Sequence, residues 1–113
     1  MKDNIVFLLH IRDAIQHIET YTKDIQYNDF IQTRLVQDGV IRQIEIIGEA
    51  TKNISTKFKE KHPDIPWKKI AGMRDKLIHQ YFGVDIKKVW QTVKKDLPIL
   101  KSKINSIIEE ADR

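Results

Sequence analysis

Phe30-Ile-Gln-Thr-Arg-Leu-Val-Gln-Asp-Gly-Val-Ile-Arg-Gln-Ile-Glu-Ile-Ile-Gly-Glu-Ala-Thr-Lys-Asn-Ile54 is the stretch on which the fold turns. Within it Val40, Ile44, Ile47, Thr51 and Ile54 recur at alternating steps of four and three. That spacing places one apolar seam along a helix and predicts a long helix from about Phe30 to Ile54, packed against an antiparallel neighbour. Asn28 or Asp29 is the expected N-cap, and Gln32 follows Asp29 at capping-box spacing. Gly39 and Gly48 sit inside the helix, where each costs roughly 1 kcal/mol relative to alanine. Close approach by another helix offsets that cost; a local kink is the other reading.

The same periodicity extends to both sides. Ile5, Leu8, Ile11, Ile15 and Ile18 form a stripe for a first helix capped by Asp3 or Asn4. Residues 55–62 read as one short, turn-rich helix stopped by Pro63. Pro66 takes a favoured first-turn position, with Trp67, Ile70, Met73 and Leu77 behind it. Asp85 caps a helix carrying Ile86, Val89, Trp90, Val93 and Leu97. Pro98 then kinks or restarts it, and Leu100, Ile104, Ile107 and Ile108 continue the stripe. No stretch alternates with the period of two that strands require. The expected fold is all-α, an antiparallel up-and-down bundle of four to five helices in a single domain, 1–113. Trp67 and Trp90 fall at core spacing.

A chain of 113 residues, 41% of them hydrophobic, supports one core. At this length folding buries only about two-thirds of the exposed surface, so a second subunit on an apolar face is favourable. The absence of cysteine excludes a disulfide framework and a thiolate metal site. The apolar run near the start, Ile5 to Leu9, is too short for a signal peptide, and no run spans a bilayer. A cytoplasmic protein is expected. Charge is uneven: residues 1–56 hold 6 basic and 8 acidic side chains, a net of −2, whereas residues 57–113 hold 14 and 8, a net of +6. Such asymmetry suits a polyanion on one side, although a lysine-rich solvated surface gives the same numbers.

One segment concentrates chemistry: Gly72-Met-Arg-Asp-Lys-Leu-Ile-His-Gln-Tyr-Phe-Gly83. On a helix Asp75 and His79 share a face, so the carboxylate can hold one imidazole nitrogen and fix the tautomer. Arg74 and Tyr81 share another. Arg74 and His79 lie about 140° apart around a regular helix, so one helix does not aim both at one phosphate. Either the arginine reaches round, Gly72 loosens the turn, or a second subunit completes the site. The residue types suit metal-free RNA cleavage. This reaction needs a base for the 2′-hydroxyl, an acid for the departing 5′-oxygen and positive charge on the phosphorane. Histidine, with an ordinary pKa of about 6.5, serves either proton-transfer role, and arginine grips phosphate oxygens while staying charged. One histidine is one too few, and a two-fold dimer bringing two copies together supplies the second. A capping histidine and a surface ion pair are the plainer reading of the same residues.

This segment resembles the HepT family, the toxin half of HepT/MntA toxin–antitoxin pairs in the HEPN superfamily. The family pattern is an arginine, a polar residue, a histidine five after the arginine, then one residue and a tyrosine; here Arg74, Asp75, His79 and Tyr81 fill it. Ile46-Ile-Gly-Glu-Ala50, Pro63-Asp-Ile-Pro-Trp67, Val84-Asp85, Val89-Trp90 and Asp96-Leu-Pro98 resemble family landmarks in order, so the likeness covers nearly the whole chain. Many relatives carry asparagine where Asp75 stands; a carboxylate there favours the protonated imidazole and shifts its role toward acid. The resemblance implies an up-and-down bundle, a homodimer and metal-independent endoribonuclease activity that arrests growth, with no cofactor. It also implies an MntA-like nucleotidyltransferase antitoxin as partner, transferring AMP to the motif tyrosine, here Tyr81.

A non-catalytic helical subunit that docks a nucleotidyltransferase and helps position its nucleotide or substrate is the competing expectation. Lys87, Lys94 and Lys101 recur every seven residues, as do Lys88 and Lys95, giving a basic stripe on an unbroken helix or simply a solvated face. His10 and His17 share a face of the first helix without a third ligand, so metal binding is unsupported.

Overall fold

The computed structural model describes residues 2–73, 75 and 83–112. Helix α1, Lys2–Thr22, packs along α3, Arg34–Lys52. The two are antiparallel: Tyr21, late in α1, faces Gly39 early in α3, while Asn4 at the other end meets Ser55 just beyond α3. The expected seam is the core. Val40, Ile44, Ile47, Thr51 and Ile54 are buried, against Leu8, Ile11, Ile15 and Ile18 of α1. The Thr51 hydroxyl is satisfied inside that apolar layer by donating to the Ile47 carbonyl at 2.8 Å.

The long helix predicted from Phe30 is two helices. Helix α2, Tyr27–Gln32, ends at an extended Thr33, and α3 begins at the next residue. The break has a side-chain cause. The Thr33 hydroxyl donates to the Asp29 carbonyl at 2.8 Å, and the buried Gln37 amide donates to the Phe30 carbonyl at 2.8 Å. Both carbonyls thereby gain partners that do not depend on an unbroken helix. The cap also differs from the expectation: Gln26 is the N-cap, and Asp29 sits three residues inside, accepting from the Gln26 amide at 2.9 Å. Asn4 likewise is not the cap of α1. It lies within α1 and is turned toward Ser55, because its amide satisfies the backbone N–H that opens α4, Thr56–Lys61.

The C-terminal arm is continuous. Helix α6, Ile86–Gln91, capped by Asp85 as expected, runs into one wide π turn, Thr92–Asp96, and on into α7, Leu97–Ala111. Pro98 has no N–H to donate and its ring crowds the carbonyl four residues back. The backbone widens instead of stopping: the Leu97 amide donates to Thr92, five residues earlier. Pro98 therefore stands in the first turn of α7, directly after a π turn that carries the helix on without a break. This arm packs antiparallel to α1, with Lys101 bonded to both carboxylate oxygens of Glu19 at 3.0 and 3.1 Å. The resulting all-α bundle contains no strand among the described residues.

Candidate functional site

Arg74, His79 and Tyr81 lie outside the described residues, so of the four motif positions the structure places only Asp75. What it does establish is the platform that delivers the motif. Helix α5, Trp67–Ala71, follows Pro66, which is its N-cap rather than its first helical residue. Trp67 is buried, and its indole N–H donates to the His62 carbonyl at 2.9 Å and to the Lys59 carbonyl at 3.2 Å. The ring clamps α4 and α5 together while its polar edge is satisfied. Ile65 and Ile70 are buried beside it. On the other side Gly48 of α3 supplies close approach: a Cβ there would lie 3.4 Å from the Ala71 carbonyl. Gly39 is the same case, with a Cβ 3.2 Å from the Tyr21 ring. Both glycines serve helix contact rather than a kink.

Gly72 closes α5, and Met73 and Asp75 resume helical geometry at the start of the motif. A groove lies on either side of this short segment. Ala71 and Asp75 line a polar cleft of about 440 Å³ whose other walls come from α1 and α3. His10, Arg42, Glu45, Glu49 and Lys52 belong to it. Sequence reading did not bring any of these to the motif, since His10 and Asp75 meet only through the packing of three helices. The single available signal was Glu49, inside the Ile46–Ala50 landmark. Carboxylates outnumber cations on the described wall: Glu45, Glu49 and Asp75 against Arg42 and Lys52. Arg42 and Glu45 approach to 3.8 Å. Among the described residues no cluster of histidines and carboxylates is arranged to hold a metal ion.

The second groove, of about 430 Å³, lies across the segment, with Ile70 and Met73 on one wall and the π turn on the other. The expected lysine stripe does not survive the change of pitch. Lys101 is drawn to Glu19, and Lys94 sits 4.6 Å over the Trp90 ring. Trp90 is half-buried, tilted against Phe30 at 5.0 Å and Tyr27 at 6.1 Å, so it seals the α2–α6 contact from the edge of the core instead of filling its centre. Gly83 has a φ of 87°, a left-handed backbone two residues before the Asp85 cap. No described helix is long and apolar enough to cross a membrane.

The comparisons agree on one family. The family model described as HepT-like, Ribonuclease HepT-like, matches residues 11–107. Probable ribonuclease HepT from Thermococcus cleftensis is 52% identical over 89% of this chain and 92% of its own. Several proteins of Methanocaldococcus jannaschii carry "putative RNase" in their names, two of them among the most similar. One, which its name also gives as a gamma-glutamylcyclotransferase, is 53% identical over 99% of this chain, and the chain spans 50% of its length. The other is 45% identical over 98% of this chain and 96% of its own. No solved structure gives a significant match. The chain belongs to the HepT-like ribonuclease family.

Proposed function

We propose that the chain is the toxin of a HEPN/nucleotidyltransferase toxin–antitoxin pair, a metal-independent endoribonuclease that cuts RNA with Arg74 and His79. Family membership across a span that encloses the motif carries this reading. The relatives named as ribonucleases supply the reaction class. The reaction is transphosphorylation: a base removes the proton from the 2′-hydroxyl, its oxygen attacks phosphorus, and the 5′-oxygen leaves with a proton from the acid. His79 moves protons, Arg74 neutralises the phosphorane, and Asp75 orients the imidazole.

The second histidine comes from a two-fold copy. Exposed Val6 stands one turn from His10, on the helix that walls the polar cleft. A dimer closing over that face places two motifs side by side, and each brings an arginine to a wall where carboxylates outnumber cations. An MntA-like nucleotidyltransferase silences the enzyme by moving AMP from ATP onto the Tyr81 hydroxyl, with pyrophosphate leaving. This puts a phosphate where the substrate phosphate belongs. RNA digestion by pure wild-type and His79→Ala chains, with chelator present, tests the reading. Wild-type cleavage lost in the variant is the expected result; equal cleavage by both refutes the role of His79.

A further inference from the structure

The groove between α5 and the π turn has the makeup of a ligand pocket rather than a gap in packing. Its walls are apolar: Ile70 and Met73 on one side, Leu97, Ile99 and Leu100 on the other. Ile99 is 59% exposed, so an apolar side chain at the groove is open to solvent. Gln91, Thr92 and Asp96 are the uncharged polar and acidic residues of the lining. Thr92 and Asp96 are the two ends of the π turn and lie one turn apart on the helix face that walls the groove. Turns of this kind occur disproportionately at functional sites. Lys69, Lys88 and Lys103 also line the groove, three cations against the single carboxylate of Asp96. Lys103 is held in place by donating to the Asp64 carbonyl at 2.6 Å. The volume of about 430 Å³ falls in the range of small-molecule sites, and apolar walls with a few convergent polar groups are their usual lining.

We propose that this groove is a nucleotide subsite that takes one unstacked RNA base carrying an exocyclic amine, adenine foremost, with its flanking phosphates on Lys69, Lys88 and Lys103. The proposal rests on the ribonuclease reading, since RNA is the polyanion that reading brings to the molecule. Met73 immediately precedes Arg74 in the chain, so a base seated here belongs to a strand passing the motif. The apolar walls sandwich the base. The Asp96 carboxylate accepts from the exocyclic amine, and the Gln91 amide, with both a donor and an acceptor, matches the edge of adenine. Uracil offers Asp96 no amine and is disfavoured. A protein segment fits the same walls less well, because an apolar side chain makes no use of the Gln91 amide and the Asp96 carboxylate that line the groove.

Met73, one of just two methionines in the sequence, lines the groove and gives a direct readout. Methyl-labelled wild-type protein is titrated with hexa-adenylate and hexa-uridylate carrying 2′-O-methyl groups, which cannot be cut. The Met73 signal, assigned with Met73→Leu, moves on binding, and the adenylate binds several-fold tighter, a difference of the size expected for one base contact. Asp96→Asn brings the two affinities together. The double variant Lys69→Ala, Lys88→Ala weakens both oligomers alike, about tenfold, and flattens the salt dependence. A Met73 signal that stays still with both oligomers, or affinity unchanged in the lysine variant, overturns the subsite and leaves the groove to a protein partner. Cleavage of ordinary RNA by the same preparation is scored separately. A stationary Met73 with normal cleavage sinks the subsite alone, and a moving Met73 without cleavage sinks the nuclease reading alone.

Discussion

Gly48 of α3 lies against the Ala71 carbonyl at the end of α5, where an added Cβ would stand 3.4 Å from that oxygen. This contact sets the distance between the longest seam of the core and the segment that leads into the motif. A methyl group just fits, and alanine is the better helix former by roughly 1 kcal/mol. Gly48→Ala is therefore expected to hold or slightly raise the melting temperature. Gly48→Leu must push α5 outward, at a cost of about 1–3 kcal/mol, and RNA cleavage falls with it. Thermal melts and digestion of the two variants in parallel check the contrast.

Asn4 ties the two ends of the chain's first half together. Ser55 N–H donates to Asn4 Oδ1 at 2.9 Å, and Asn4 Nδ2 donates to Ser55 Oγ at 3.2 Å. Asn4→Ala leaves the Ser55 amide without its acceptor, a loss of about 1–3 kcal/mol. Urea denaturation reads it as a lower midpoint with an unchanged slope.

Gln37 holds the α2–α3 corner by donating to the Phe30 carbonyl from a buried position. Gln37→Leu preserves bulk but removes the donor. Residues 27–33 should then exchange their amide hydrogens faster while the α1–α3 seam stays protected, because local opening follows local contacts. Uniform loss of protection along the chain would contradict this account.

Val6 is 45% exposed on the helix that walls the polar cleft. If the dimer closes there, Val6→Glu buries a charge at the contact and separates the subunits. Light scattering should show monomer. Cleavage should fall at low protein concentration and recover in part as concentration rises, by mass action. A Val6→Glu chain that remains dimeric moves the interface elsewhere.

Tyr81 is the proposed AMP acceptor. Incubation with the partner nucleotidyltransferase and ATP should raise the intact mass by adenylyl groups in wild type and not in Tyr81→Phe, which should stay toxic when the partner is present. AMP on any other residue removes this part of the scheme.

Much of the fold was legible in the residues. The Val40–Ile54 seam, the α1 stripe and the Asp85 cap appear as expected because each is a local rule: spacing fixes a helix face, and a carboxylate at the right offset satisfies an open amide. The family was legible too, since an ordered set of short landmarks survives without knowledge of their contacts. Only the tertiary structure decided where regularity gives way. Gln37 reaches back seven residues to Phe30 and helps end a helix the periodicity would have continued. Pro98 follows a widened turn rather than a broken one, with Leu97 and Leu100 on either side of it buried in the core. The grouping of His10, Arg42 and Glu49 around Asp75 was likewise beyond the sequence. Those residues come together through the packing of α1, α3 and α5, and a linear pattern carries the faces of helices but not the angles at which they meet.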